Sequence, residues 1–343
     1  MKKIIAGILS ILTIGCLAVG MAGCEEQEVE STSSIEESCS VNVEGSSLEE
    51  ETTSEENSSS EEETTSEENS SSEEETTSEE GSSSEEVVSY SENLAYIISE
   101  DESYYILRGV GLCEDRRIVI PSTYCGLPVK EIEDSAFQEQ SYISSIFIPD
   151  SVTSIGDDAF SYCTSLTSVV IGDSVTSIGY GAFSHCESLT SVVIPDSVTS
   201  IGHYAFSHCE SLTSVVIPDS VTTIGNYAFS LCSSLTSIVI GDSITSVGYG
   251  AFSHCKSLTS VVIPDSVTSI CDEAFYYCIS LTSVVIGDSV TSIGVWAFAG
   301  CSSLTSIEFT GTVAQWKAIS MGANWNGYVP AMEVICKDGR VAI

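Results

Sequence analysis

An Ala-Phe pair recurs every 23 residues along most of the chain, and this period constrains the fold more than any other feature. The phenylalanines of the pair are Phe137, Phe160, Phe183, Phe206, Phe229, Phe252, Phe275 and Phe298. A short tandem unit has an apolar face that it cannot bury alone, so successive units must stack on one another. The period therefore predicts a repeat solenoid of 23-residue coils.

The unit Ser188–Glu210, SLTSVVIPDSVTSIGHYAFSHCE, divides into three short pieces. Residues 189–194 have the period of a strand and are rich in β-branched side chains, which predicts a strand. Pro195 cannot donate to a β-ladder and marks a turn. A second extended piece is predicted at 198–201. Residues 204–209 are predicted to form about two turns of α- or 3₁₀-helix on the opposite side.

The pattern L-x-x-V-x-I-P-x-x-V-x-x-I-G-x-x-A-F-x-x-C resembles the BspA-like, treponemal-type leucine-rich repeat over roughly residues 104–339. The resemblance implies a leucine-rich repeat solenoid with a parallel β-sheet on one face and short helical or 3₁₀ segments on the other. It also implies a bacterial cell-surface protein that works in adhesion or ligand binding, with no enzymatic activity and no cofactor. Motifs for serine hydrolases, zinc proteases and P-loops are absent from the sequence, which agrees with that expectation.

The first residues are predicted to direct export. Residues 1–23 have a charged start, an apolar core and a small-residue end, as in a lipoprotein signal peptide. The segment Met21–Cys24 is similar to a bacterial lipobox, which makes Cys24 the predicted lipidation site. The alternative is an uncleaved apolar span over Ile4–Gly23. In either case the N-terminal segment is the expected membrane anchor, and we expect no other contact with the membrane.

Residues 24–88 are predicted to form a disordered stalk rich in Ser, Thr and Glu. More than half of the 50 acidic residues lie between Glu25 and Glu102, where there is no Lys or Arg. A segment with so much charge and so few apolar residues cannot form a core. The formal net charge of -40 also argues against nucleic acid as a partner, because phosphate binding requires clustered Lys and Arg.

The remaining chain divides into two predicted caps around the repeats. Residues 89–137 are expected to form an N-terminal cap and a degenerate first coil, 138–309 the regular repeats, and 310–343 a C-terminal cap. Caps are expected because an open sheet end would pair with other chains.

Three repeated residue types could in principle carry chemistry. Seven cysteines form one column, and we expect buried free thiols there, because stacked side chains run parallel and hold their Cβ atoms too far apart for a disulfide. Three of the four histidines lie just before this column, and an aspartate ladder follows the strand. Both suggest metal ligands, but surface histidines and turn-forming aspartates are the simpler interpretation. No metal site is predicted.

Two surfaces remain as candidates for ligand binding. The first is a stripe of outward-facing valines, whose alternative explanation is β-propensity with stacking between coils. Its members are Val170, Val193, Val216, Val239, Val262 and Val285. The second is the variable pair before Ala-Phe, where aromatic residues concentrate; its alternative is neutral variation. Its members are Tyr180, His203, Tyr204, Tyr227, Tyr249 and Trp296.

These features predict a surface-anchored binding protein that recognises an extracellular protein. Capture of a glycan by the aromatic positions and a purely structural surface role are the alternatives. A stack of about eight coils is roughly 40 Å long at the usual strand spacing, which suits a macromolecule. No insertion interrupts the coils between Phe137 and Phe298, which disfavours a pocket for a small metabolite.

The anchoring hypothesis is tested at Cys24. We expect Cys24→Ala to release the protein from membranes and to remove the lipid from the mature mass, as measured by fractionation and intact-mass spectrometry. A wild-type protein that carries no lipid would instead indicate the uncleaved apolar span.

Overall fold

The structure, a computed structural model, describes residues 89–343. The predicted signal peptide, the stalk and Cys24 lie outside the described residues. Five strands precede the regular repeats, and the first two pair antiparallel as a hairpin. These strands are β1 (Ala95–Ile98), β2 (Tyr105–Gly109), β3 (Arg117–Val119), β4 (Thr123–Tyr124) and β5 (Leu127–Ile132).

Each regular coil contributes two short strands, one from the Leu-x-x-Val-x-Ile segment and one from the Ser/Thr-Ile/Val pair nearer to Ala-Phe. In chain order they are β6 (Ser145–Phe147), β7 (Ser154–Ile155), β8 (Ser168–Val170), β9 (Ser177–Ile178), β10 (Ser191–Val192), β11 (Ser200–Ile201), β12 (Ser214–Val216), β13 (Thr223–Ile224), β14 (Ser237–Val239), β15 (Ser246–Val247), β16 (Ser260–Ile263), β17 (Ser269–Ile270), β18 (Ser283–Ile286), β19 (Ser292–Ile293) and β20 (Ser306–Phe309). After them come the helix α1 (Val313–Ala318) and the strands β21 (Ser320–Met321), β22 (Glu333–Cys336) and β23 (Gly339–Ala342).

The predicted repeat solenoid is confirmed, but it has two parallel ladders rather than one. The strands of the Ser/Thr-Ile/Val pair join β1, β2, β4, β5 and β21 in a 12-stranded sheet. The strands of the Leu segment form sheets of four, two and five strands. Pairing stays in register at the repeat length, so that Ile201 lies opposite Ile178 on one side and Ile224 on the other. An unbroken 23-residue period allows this register, because equivalent residues fall beside one another in every coil.

The predicted helical segment is wrong: residues 204–209 and their equivalents form consecutive turns, which we call the turn ribbon. Tyr204 and His208 have φ of 57° and 60°, in the left-handed region that a right-handed helix excludes. The backbone N–H groups alternate in their partners. Those of Tyr204, Phe206 and His208 donate to the next coil, whereas those between them donate within their own coil. The ribbon therefore links coils as a ladder does, which a helix could not.

The core contains a continuous stack of the repeated phenylalanines. Neighbouring rings from Phe137 to Phe298 lie 5.1–5.5 Å apart between centroids and are within 16° of parallel. All eight rings are fully buried. Trp325 packs edge-on against Phe298, and Trp316 packs against both Trp325 and Phe309. These two buried indoles cover the C-terminal end of the stack and remove it from water.

The seven cysteines of the column are free and buried, as predicted. Each thiol donates to the carbonyl of the phenylalanine in the preceding coil, as Cys209 Sγ does to Phe183 O at 3.2 Å. Burial raises the pKa of the Cys163 and Cys232 thiols to about 12 and holds the pKa of Cys209 well above its ordinary value. A buried neutral thiol is a poor nucleophile, so this column is structural.

Phe206→Ala should lower the free energy of unfolding by about 3–5 kcal/mol, because the cavity would lie between two rings that cannot close over it. Chemical denaturation measures the loss, and hydrogen exchange should show faster opening mainly in the adjoining coils, since coils contact only their neighbours. The exposed Glu210→Ala serves as control. A Phe206 variant as stable as this control would contradict burial of the stack.

Thiol labelling provides a second test of the core. Under native conditions at pH 8, iodoacetamide should modify the exposed Cys125 and leave Cys209 unmodified, with peptide mass spectrometry locating the label. In denaturant both should react. Equal labelling rates in the native protein would show that the column is open to solvent.

Candidate functional site

The predicted valine stripe is exposed in the structure. Its members are 52% to 76% exposed from Val170 to Val262, with Val193 the most exposed, whereas Val285 is half-buried. Val216 pairs with Val239 and Val262 pairs with Val285 in the parallel register, and the other members occupy the equivalent positions of adjacent coils. At a strand spacing of about 4.8 Å, six coils extend the stripe over roughly 24 Å. It is a continuous aliphatic surface on one side of the coils.

The stripe continues at both ends beyond the residues predicted from the sequence. Phe147, which is 37% exposed, pairs with Val170 at one end. At the other end Glu308 pairs with Val285, and the partly exposed Ile335 follows. Phe147 occupies the same repeat position as the valines, so the period was the signal that could have found it. The carboxylate of Glu308 separates Ile335 from the rest of the stripe.

The predicted aromatic positions lie on the turn ribbon, and several of them have unusual backbone angles. Tyr204, Tyr227 and Trp296 have φ between 55° and 57°. A left-handed conformation costs a bulky residue of the order of 1–2 kcal/mol relative to glycine. Gly181 and Gly250 occupy the equivalent positions of other coils with the same φ. Large rings at positions that glycine fills more easily require a compensating contact or a functional reason.

Four of the predicted aromatic residues form one contiguous tyrosine cluster. The rings of Tyr204 and Tyr227 stack at 5.0 Å, and Tyr180 and Tyr249 contact the two ends of this pair at 5.4 and 5.1 Å. Gly250 makes room for Tyr227, since a Cβ at Gly250 would lie 2.5 Å from that ring. Ring stacking therefore compensates the backbone strain in this cluster, and Tyr204 and Tyr227 are only half-exposed.

His203 serves the ribbon itself rather than forming part of the tyrosine cluster. Its Nδ1 accepts a hydrogen bond from the backbone N–H of Asn226 in the next coil at 2.7 Å. Asp157 and Asn226 act in the same way for Tyr180 and Tyr249. Polar side chains at this position thus link successive coils, which explains part of the variation at the predicted binding positions.

Trp296 stands apart from the tyrosine cluster and joins a different group. It borders a cleft of about 390 Å³ together with Tyr276, Tyr277, Asn324 and Tyr328. The rings of Tyr276 and Trp296 are 6.2 Å apart and within 29° of parallel. Of these residues, Trp296 was predicted from the sequence as a binding position, whereas Tyr276 and Tyr328 were not. The signal for Tyr276 was available, because most coils have serine at its position.

No metal centre is found among residues 89–343, where no three His, Cys, Asp or Glu side chains are arranged to hold an ion. Three of the seven aspartates after the strand, Asp150, Asp219 and Asp265, accept a backbone hydrogen bond, and they accept it from the neighbouring coil rather than from their own. Asp219 Oδ1, for example, accepts from the N–H of Asp242 at 2.7 Å. Within the same part of the chain, no helix has the length and apolarity needed to cross a bilayer.

The repeats belong to the BspA type leucine rich repeat family. The family model matches six copies over residues 130–259 and 222–321, which together exceed half of the chain. The resemblance noted from the sequence is therefore confirmed. No curated protein matches the chain.

Solved structures of bacterial leucine-rich repeat proteins are similar to this chain. A leucine-rich repeat protein from Bacteroides ovatus is 29% identical, with 74% of this chain and 72% of that chain covered and a TM-score of 0.56. The leucine rich repeat protein of T. pallidum is 30% identical over 62% of this chain and 88% of that chain, with a TM-score of 0.47. A leucine rich cell surface protein from Faecalibacterium prausnitzii is 25% identical over 68% and 97%, with a TM-score of 0.32. The Bacteroides structure supports the solenoid fold.

Stacked imidazoles on the ribbon allow a test by pH. His185 and His208 lie 4.1 Å apart, and the pKa of His185 is lowered by burial first and by His208 second, against the opposing carboxylates of Glu187 and Glu210. Because the unfolded chain binds this proton more readily, stability is full above the ordinary pKa of 6.5 and is lost as pH falls below it.

His208→Asn should therefore raise the pKa of His185, while burial keeps it below the ordinary value. An NMR pH titration of the parent and of the variant measures the pKa of His185 in each. His254, two coils beyond His208, is the internal control, and its pKa should not change. An unaltered His185 pKa would show that the imidazolium of His208 does not act on it.

Proposed function

We propose that this leucine-rich repeat protein is a non-catalytic binding protein that recognises an extracellular protein through the valine stripe. The observation that carries the proposal is the exposure of the equivalent valine in five successive coils, where each side chain is more than half accessible. Exposed apolar rows of this length are typical of interaction surfaces on soluble domains. Branched aliphatic side chains suit a protein partner, which can offer its own aliphatic groups for burial.

The charge of the repeats restricts the partner. Lys256 is the only Lys or Arg between Lys130 and Lys317, whereas exposed aspartates recur beside the stripe in each coil. Like charges across an interface cost free energy and slow association. The partner surface is therefore neutral or basic around an apolar centre.

The location follows from the sequence rather than from the described residues. Lipidation of Cys24 would hold the protein at the outer face of the bacterial membrane, and the acidic segment 24–88 would serve as a spacer between lipid and solenoid. Flexible-chain scaling would give a stalk of this length a mean span of roughly 40–50 Å, which charge repulsion would extend. This arrangement would hold the stripe where extracellular proteins can reach it.

The proposal is tested by measuring binding to a panel of purified extracellular proteins. Each protein of the panel is immobilised and titrated with the leucine-rich repeat protein lacking its lipid. The double variant Val193→Thr/Val216→Thr keeps β-branched side chains in the strands and adds two hydroxyls that the interface would bury without partners. We expect binding to weaken at least tenfold, and the unfolding midpoint should change little, since both side chains are exposed.

The matched comparison is Tyr204→Ser/Tyr227→Ser, which alters the tyrosine cluster and leaves the stripe intact. The valine proposal requires this variant to bind like the parent. Loss of binding only in the tyrosine variant would show that the interface lies on the turn ribbon and not on the valine stripe. No binding by the parent to any protein of the panel would favour a structural surface role.

A further inference from the structure

The cleft beside Trp296 arises from a change of side-chain size along the turn ribbon. In most coils the residue after the repeated phenylalanine is a small serine, and the next is tyrosine or histidine. The coil of Phe275 instead carries Tyr276 and Tyr277, and the following coil carries only Ala299 and Gly300 at the same two positions. Two large rings thus face two small residues at the same positions of the next coil, and the missing volume is the cleft.

Tyr328 borders the far side of this gap. The N–H of Gly300 donates to Gly327 O, which puts Tyr328 in the same column as Tyr277, two coils further along. Two coil steps correspond to about 10 Å at the strand spacing. Gly300 keeps the floor open, because a Cβ there would lie 2.9 Å from the ring of Tyr277. Its φ of 77° also favours glycine at this position.

The rings around the gap remain open to solvent although they are apolar. Trp296 is 43% exposed and Tyr328 is 94% exposed, whereas the other two tryptophans, Trp316 and Trp325, are buried. Both Trp296 and Tyr328 have left-handed φ, of 56° and 63°, and glycine occupies their columns elsewhere in the ribbon. Trp296 stacks on Tyr276 more loosely than Tyr204 does on Tyr227, with 6.2 Å rather than 5.0 Å between ring centroids, so ring stacking compensates less of this strain.

The chemistry of the lining selects among possible ligands. None of the residues around the cleft is charged. Tyrosine hydroxyls and the amide of Asn324 supply hydrogen-bond donors and acceptors around the rings. A ligand with one flat apolar face and a rim of hydroxyls satisfies both features. An organic cation is disfavoured because the lining offers no carboxylate to pair with it. An acidic glycan is disfavoured because the chain, with a net charge of -40, would repel it.

We propose that the cleft formed by Tyr276, Tyr277, Trp296, Asn324 and Tyr328 binds a neutral pyranose unit of an extracellular glycan. The polarised C–H groups on one face of the sugar pack against the electron-rich faces of the rings. The hydroxyls on its rim bond to the amide and the tyrosine oxygens. The volume of about 390 Å³ lies in the usual range for small-ligand sites, about 300–1,000 Å³. This site lies on the turn ribbon and does not involve the valine stripe.

Trp296 supplies the readout, because the two other tryptophans are buried. The full chain is first screened on an array of neutral, sialylated and sulfated glycans. The neutral glycan with the strongest signal is then titrated while acrylamide quenching of tryptophan fluorescence is followed. We expect binding to neutral glycans only, with protection of Trp296 from acrylamide that saturates with glycan concentration.

Three glycine variants locate the site without altering the left-handed backbone. Tyr328→Gly should weaken glycan binding at least tenfold in the fluorescence titration, and Trp296→Gly should abolish the signal on the array. Tyr204→Gly, in the same column as Trp296 but within the tyrosine cluster, is the matched control and should bind like the parent. Circular dichroism confirms folding of all three variants.

The proposal is overturned if no neutral glycan on the array binds, or if Tyr204→Gly loses binding as much as Tyr328→Gly. It is also overturned if choline protects Trp296 from acrylamide and the glycans do not, since the cleft would then be a cage for a quaternary ammonium group. Failure of these tests leaves the valine stripe proposal untouched, because the two surfaces are probed by separate variants and ligands.

Discussion

In-register stacking of coils is the constraint on which the rest of this structure depends. A single coil has two short strands and a ribbon of turns, none of which is stable alone, and all three exchange backbone hydrogen bonds with the next coil. The buried phenylalanine of each coil completes its packing only against the rings above and below it. Any change of repeat length would break the two ladders and the ribbon together, which explains why the period is constant from Phe137 to Phe298.

The same constraint determines where the sequence can vary. Thr199 shows that even an exposed polar residue can be constrained by stacking. Its Oγ1 donates a hydrogen bond to Thr176 O and so links its coil to the preceding one. His203 and Asn226 differ in type but accept the same backbone hydrogen bond. Residues whose side chains form no hydrogen bond between coils are therefore the ones whose identity points to a function other than stacking. The stripe valines and the rings around the cleft are among them, since their side chains point away from the coil-to-coil hydrogen bonds.

Much of the fold could be predicted because it follows from periodicity. The repeat length, the buried Ala-Phe pair and the inward Leu, Val and Ile all follow from the requirement that equivalent residues stack. The turn ribbon could not be recognised from the coil Ser188–Glu210 alone, because Tyr204 and His208 do not favour left-handed φ. The signal lies in other coils, where Gly181, Gly250 and Gly300 occupy these columns. A column containing glycine together with large residues indicates a left-handed position better than any single coil does.

The candidate sites were predictable to different degrees for a related reason. Each stripe valine repeats with the period, so its orientation follows from alternation in the strand, and the exposure of the row could be foreseen. The cleft depends instead on departures from the period: serine is replaced by Tyr276, and the next coil has Ala299-Gly300 where a serine and a ring are usual. Such departures have no meaning until the coils are stacked, because the ring and the vacant position are 23 or more residues apart in sequence. In a solenoid the regular positions build the scaffold, and a concave site can arise only where neighbouring coils break the repeat in complementary ways.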